Sequence, residues 1–407
     1  MRSLVITRWV PWPPTSGARQ RSATIVDGLR QRGPVDVFLH PSARVASETK
    51  PPEGVRLLGN VAREATPVRR LERLATVAPW SRPPSVRRLV ADDARQLLVE
   101  KLDAPYDLAW FVRPESWLSF GDLVDAPAVV DYDDLRDRLI TSRQRSRWPG
   151  GSRPTVLGRW AASTEAAAWA RLQQRLARDV AAVTVCSEAD RVHLGVDNAA
   201  VVVNAVDLPA SPVGRVEVGA TPTVCFHGSL DYRPNADAAR RLVDDVLPLL
   251  RASVPSVAVR LVGRYDRRVA PLDHPPDVVV TGFVPDITTE LARADVVAVP
   301  LREGAGTRIK VLEALAHRIP VVSTTLGVEG IDVEHDRHVL VADDPRSFAD
   351  ACAALLTDTA LRRRLAAAGA ALVEERYQAR EARRSVAELA VALVGSGRGE
   401  DRRAGQA

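Results

Sequence analysis

The sequence predicts an α/β protein built on two open parallel sheets. Short apolar runs bounded by turn residues alternate with longer helical patterns from end to end. The same strand-and-helix grammar starts twice, at Ser3 and again at Thr223. Between the two starts lies a Pro, Gly and Val stretch, Pro209 to Pro222, which reads as an interdomain linker. A length of 407 residues suits two domains with full cores.

In chain order, Ser3 to Thr7 reads as a strand, followed by a Pro/Gly loop, a helix over about Arg19 to Gln31 and a strand at Val35 to Leu39. Further strands are expected at Asp107 to Val112, Ala128 to Asp131, Ala182 to Cys186 and Ala200 to Val203, with a long Ala/Arg-rich helix over Val156 to Arg178. The second half offers strands at Thr223 to His227, Ala258 to Val262, Val278 to Thr281, Val296 to Val299, Val321–Val322 and Val339 to Val341. A patterned helix over 379–394 is expected to pack back on the first domain. The segment 395–407 has no apolar period and reads as a disordered tail. The expected boundaries are therefore 1–207 and 208–378 for the two domains, then the helix and the tail. In such sheets ligands sit outside the carboxyl ends of the strands, and a cleft between two such domains is the natural active site.

Apolar residues at 46% and charged residues at 26% exclude a disordered chain and an integral membrane protein. No run approaches the roughly 20 apolar residues of a membrane span. The start, Met1 to Ile6, reaches Trp9 to Pro14 before an apolar signal-peptide core can form, which predicts a cytoplasmic protein. Cys186, Cys225 and Cys352 have no metal-site or redox-pair spacing and read as buried, reduced and structural. The net charge is +5, yet the only lysines are Lys50, Lys101 and Lys310. All eight tryptophans precede residue 170, among arginine clusters at Arg69–Arg70, Arg87–Arg88 and Arg143 to Arg159. Such a face suits peripheral contact with an anionic membrane at its inner side, or a lipid-diphosphate acceptor; solvated arginines over helix faces are the plainer alternative. No nucleic-acid module is present.

The most informative stretch is Val299 to Ala314, in which a buried strand ends in a short Gly loop with Gly304 and Gly306. Thr307 is then expected to cap a helix whose first turn carries Arg308 and Lys310. Helix-start N–H groups, a forked arginine and a lysine point charge together favour a diphosphate. Glu313, three residues past Lys310, shares its helix face and could accept two sugar hydroxyls. From composition alone, a plain capped helix with a surface Glu–Lys pair fits as well.

His227 to Asn235, Leu261 to Arg264, Val280 to Asp286, Gly304 to Ala314 and Pro320 to Thr324 occur in an order and spacing that resemble the donor-binding domain of the retaining GT-B glycosyltransferases of the family 4 type. The resemblance runs through about residues 223–377 and favours an exopolysaccharide-type branch. It implies two Rossmann-like domains with parallel sheets facing across a cleft, and transfer of a sugar from a nucleotide diphosphate donor without a metal or other cofactor. It makes Gly228 and Ser229 the loop under the diphosphate, with Arg264 beside it. Phe283 and Val284 become the wall against the base, and Glu313 the ribose contact. A plain core role for Phe283 stays open.

Two departures from the family pattern stand out. Where the family places a glutamate eight residues before Glu313, this chain has Ala305, with Glu303 two residues further back as a substitute. The usual basic pair after the Gly228 strand is also absent, and Arg308 and Lys310 are expected to replace it. Arg308, Lys310 and Glu303 are accordingly the expected catalytic groups. On the acceptor side, the loop through Gly17 to Arg21 is expected near the transferred sugar, and Asp133 or Asp134 of the acidic turn as a contact for the acceptor hydroxyl. A glycine-requiring turn and a helix-capping acidic turn explain these two equally well. The acceptor could be a sugar, a lipid-linked glycan or a small molecule. A sugar-nucleotide epimerase and a non-catalytic nucleotide-sugar-binding partner are the alternative readings.

Overall fold

The computed structural model describes residues 1–39, 50–60, 92–145, 155–215 and 217–404. It divides into two compact units, the first holding Met1–Gln144 and Arg153–Val203 together with Arg380 onward, the second holding Asn204–Ala379 with the short segment Arg145–Ser152.

The first unit is a parallel sheet of β1 (Ser3–Thr7), β2 (Val35–Leu39), β3 (Val55–Asn60), β4 (Leu108–Val112), β5 (Ala128–Tyr132), β6 (Ala182–Val185) and β7 (Ala199–Val201). Their spatial order is β3-β2-β1-β4-β5-β6-β7, so the order reverses between β1 and β4. Every residue of β1, β2, β4, β5 and β6 is buried, which explains their near-continuous apolar runs. Side chains alternate between the faces. Leu4 and Ile6 join one core with Phe38, Phe111 and Phe120, while Val5 joins the other with Ile25, Val26 and Trp110. Strand β3 was not expected: Arg56 and Gly59 interrupt its apolar run, and it lies at the sheet edge.

The second unit is a parallel sheet of β8 (Thr223–His227), β9 (Ala258–Val262), β10 (Val278–Gly282), β11 (Val296–Val299), β12 (Val321–Ser323) and β13 (Leu340–Val341). The order β10-β9-β8-β11-β12-β13 reverses between β8 and β11. The stretch before β8 is no free spacer. The Gly214 N–H donates to the His317 carbonyl at 2.8 Å, and Gly219 donates to Asp295 at 3.0 Å. Buried Arg362 ties it further, donating to the carbonyls of Arg215 and Asp295 at 3.2 and 2.6 Å.

The last helix, Ala379–Ala404, sets Val386 and Ala390 into the core of the first unit. It lies so close to the helix Gly17–Arg30 that a Cβ on Gly28 would sit 2.6 Å from Val386 Cβ. The helical backbone runs on past Gly395, where a structureless tail is expected, because extending a docked helix costs far less than nucleating one. Residues 405–407 lie outside the described residues.

The three cysteines are free and buried, and burial pushes the Cys225 thiol up to about 12. Trp110 and Trp169 are core residues at 0% and 1% exposure, so the tryptophans do not form one surface face. Trp160 is half exposed, while Trp80, Trp148 and the arginines at 69–70 and 87–88 lie outside the described residues. Among the described residues no helix is long and apolar enough to cross a membrane.

Candidate functional site

At the carboxyl end of β8 the backbone passes from His227 into Gly228, whose φ is 140°. Gly263 makes the same exit from β9 at φ 135°, and a Cβ there would lie 1.8 Å from the Gly228 carbonyl oxygen. Two strand ends can approach this closely only as glycines. From the other side of the switch point, β11 leads into the loop that carries Gly304 at φ 135° and Gly306 at φ 76°.

The helix Ile309–Ala316 follows, and its geometry differs from the expected capping. Arg308, not Thr307, is the N-cap residue, and no side chain caps the helix start. The Arg308 guanidinium folds back onto the carbonyls of Ala305 and Gly306 and is 9% exposed. Its Nη1 therefore holds the loop. Thr307 Oγ1 is buried and has no hydrogen-bond partner.

Lys310 reaches under Gly228. A Cβ on Gly228 would sit 2.8 Å from Lys310 Nζ. The ammonium donates to Asn235 Oδ1 at 2.8 Å and lies 4.2 Å from the centroid of the Phe226 ring. Asn235 in turn donates to the Ser229 carbonyl at 2.9 Å, which couples the exposed Ser229 loop to the lysine. No carboxylate lies within ion-pair distance of Lys310 among the described residues. Burial, reinforced by nearby Arg308, pulls its pKa down from 10.5 to about 7.

Glu313 takes a hydrogen bond from His227 Nε2 at 3.0 Å, while the buried His227 Nδ1 has no partner. Glu303 is 1% exposed and held by Arg233, the first residue of the helix Arg233–Arg241. Phe283, at 54% exposure just past β10, stands clear of the core, with Val284 partly buried behind it. Arg264 follows Gly263 and is exposed. Gly228, Ser229, Gly263, Gly304, Gly306, Thr307, Lys310 and Glu313 thus converge on the carboxyl edge of one sheet, at the switch point where open α/β sheets place ligands. His227, Arg233 and Asn235 sit in the segment that carried the resemblance, yet no role follows for them from the sequence. Their partners, Glu313, Glu303 and Lys310, are 70 or more residues away.

Residues 221–358 match the family model described as "Glycosyl transferases group 1". The second unit is a group 1 glycosyltransferase domain. The fold agrees along the whole chain. Sucrose-phosphate synthase from Thermosynechococcus elongatus superposes with a TM-score of 0.68 at 16% identity, over 97% of this chain and 100% of that one. HepE of Anabaena, in complex with UDP, gives 0.63 at 16% identity, over 96% and 100%. WaaG, a glycosyltransferase involved in lipopolysaccharide biosynthesis, gives 0.60 at 13%, over 97% and 100%. No curated protein matches in sequence. The chain has the GT-B fold and carries a group 1 glycosyltransferase domain.

The first unit places the other expected residues differently. Gly17 is the exposed first residue of its helix and has no positive φ. Arg21 is 1% exposed and forks onto the fully buried Asp131, with Nη2 to Oδ1 at 2.6 Å. This corrects its expected place at the acceptor, since a guanidinium committed to a buried carboxylate and to the Val202 carbonyl serves the fold. Asp133 and Asp134 share Arg113 at 3.3 and 3.4 Å, beyond the end of β5. Among the described residues no group of acidic, His or Cys side chains could hold a metal ion.

Proposed function

We propose that the carboxyl edge of the second sheet binds the nucleoside diphosphate of the donor, and that the enzyme transfers the sugar with retention to an acceptor hydroxyl in polysaccharide, glycolipid or glycoconjugate synthesis. The observation that carries this is Lys310: an ammonium beneath Gly228 with an amide oxygen and an aromatic face for company and, among the described residues, no carboxylate within ion-pair distance. A partly buried cation with no paired carboxylate is costly, and a diphosphate supplies the missing charge. Thr307 Oγ1, buried without a partner, offers a further donor to the same anion.

In this reading the Gly228–Ser229 and Gly304–Gly306 segments bring backbone close to the phosphates, and Arg264 adds charge from solvent. Arg308 keeps the Gly loop in shape rather than forking onto the ligand. Phe283 stacks on the base beside Val284, and Glu313, oriented by His227, holds the ribose. Charge that grows on the leaving diphosphate is stabilised by Lys310 and the loop N–H groups. The Glu303–Arg233 pair fixes the loop entrance. The complexes of HepE with UDP and with UDP-glucose support a uridine diphosphate sugar as the first donor to try.

Thermal melting in the presence of chelator tests the site. UDP is expected to raise the melting temperature of the wild type and not of Lys310→Met. A shift that needs a divalent cation, or that survives in Lys310→Met, would place the diphosphate elsewhere.

A further inference from the structure

The first sheet has its own switch point, between β1 and β4, and an arginine follows each of those strands: Arg8 after Thr7 and Arg113 after Val112. Both guanidinium groups gather around the ring of Trp9, at 4.5 Å from its centroid for Arg113 and 5.9 Å for Arg8. Arg113 adopts φ 74° and ψ 148°, a backbone region that non-glycine residues seldom occupy and that concentrates at functional sites. The carboxylates nearby pair with other arginines: Glu115 through Oε1 with Arg136, its Oε2 being buried without a hydrogen-bond partner, and Asp133 and Asp134 with Arg113. Arg8 is left over. It is partly buried and makes no hydrogen bond or ion pair among the described residues, which is rare for a guanidinium.

We propose that Arg8, with Arg113 beside it on the Trp9 ring, holds a phosphate group of the acceptor. The proposal rests on the glycosyl-transfer reading and names the acceptor's chemistry, a phosphorylated saccharide. A forked guanidinium presents paired donors that match phosphate oxygens, and a second cation on the same aromatic platform suits a dianion better than a neutral hydroxyl. Burial, together with the like charges of Arg113 and Arg136, works against the charged form of Arg8, while Glu115 partly offsets this. An arriving phosphate reverses that penalty. Asp133 and Asp134, on the neighbouring strand end, are acceptors for the hydroxyls of the same saccharide.

The phosphate could sit on a soluble sugar phosphate or on the head of a lipid-linked one. Calorimetric titration of inorganic phosphate into the full chain, already saturated with UDP, tests the site. One further phosphate is expected to bind the wild type, at least tenfold more weakly in Arg8→Gln and less weakened in Arg8→Lys. Arg8→Gln should melt no lower than wild type in phosphate-free buffer, because it removes an unpaired, partly buried charge. Glucose 1-phosphate binding tighter than inorganic phosphate assigns the soluble source. Retention on phosphatidylcholine vesicles containing polyprenyl phosphate, lost in Arg8→Gln, assigns the lipid-linked one. No second phosphate on the wild type, equal binding by Arg8→Gln, a clearly lower melting temperature for that variant, or indifference to both organic phosphates overturns the proposal. Failure of the donor reading shows separately, as absence of UDP binding in the first step.

Discussion

His227 Nε2 lies 3.0 Å from Glu313 Oε2, joining the end of β8 to the middle of the helix Ile309–Ala316. The imidazole is 4% exposed, so the bond fixes a carboxylate that is itself partly open to solvent. An oriented acceptor of this kind is what a ribose needs.

Glu313→Ala is therefore expected to weaken UDP binding by about 1.5–3 kcal/mol, the range for hydrogen bonds to a charged group. His227→Leu should cost about 0.5–1.5 kcal/mol, and His227→Gln, which keeps a donor, less. Calorimetry with UDP and its 2′,3′-dideoxy analogue checks both, since the variants should lose the preference for the ribose hydroxyls. Equal preference in wild type and Glu313→Ala would remove the ribose from this carboxylate.

Lys310 gives the binding a pH dependence whose sign follows from its depressed pKa. The free protein loses the Lys310 proton near pH 7, whereas a bound diphosphate favours the ammonium. Binding above pH 7 must then take up a proton, and affinity should fall by up to about tenfold per pH unit until the pKa of the complex is passed. Without ligand, the unfolded chain keeps this proton up to about pH 10.5, so between 7 and 10.5 stability contributed by this group rises with pH. Proton uptake measured in buffers of different ionisation enthalpy, and urea unfolding over the same range, should both become flat in Lys310→Met. Proton uptake that persists in that variant would assign the effect to another group.

How far these residues were legible in the sequence depends on how local their signals are. The strands of both sheets other than β3 are visible because burial on two faces leaves continuous apolar runs such as Leu4 to Ile6 and Val296 to Val299. The Gly loop and Lys310 are visible because strand end, glycines and helix start follow one another in the chain. The role of Arg308 was not, since its turn back onto Ala305 and Gly306 depends on the conformations of Gly304 and Gly306. Arg8 was not either: one arginine among many in this chain gives no hint that it ends at a switch point beside Trp9 and Arg113.

Arg308 carries its own prediction. Because it bonds the loop carbonyls, Arg308→Ala should lower stability by about 1–3 kcal/mol, with donor affinity falling as the loop loosens. Arg308→Lys should recover part of both. Melting temperature and UDP affinity, measured on the same samples, are expected to move together. A slow transfer rate with both unchanged would return Arg308 to direct contact with the leaving group.

Arg21 and Asp131 provide the sharpest test of which first-unit residues serve the fold. Both side chains are almost wholly buried, and Asp131 also accepts from Thr184 Oγ1 at 2.7 Å. Removing one member leaves an uncompensated charge in the core, so Asp131→Leu and Arg21→Met should each cost about 3–5 kcal/mol. The double variant Arg21→Met with Asp131→Leu removes both charges, and its cost should fall well short of the sum of the two. Urea unfolding of the four proteins measures the coupling. Single variants that unfold like the wild type while the acceptor KM rises would put Arg21 at the acceptor after all, because only a residue outside the framework can be lost without a stability change.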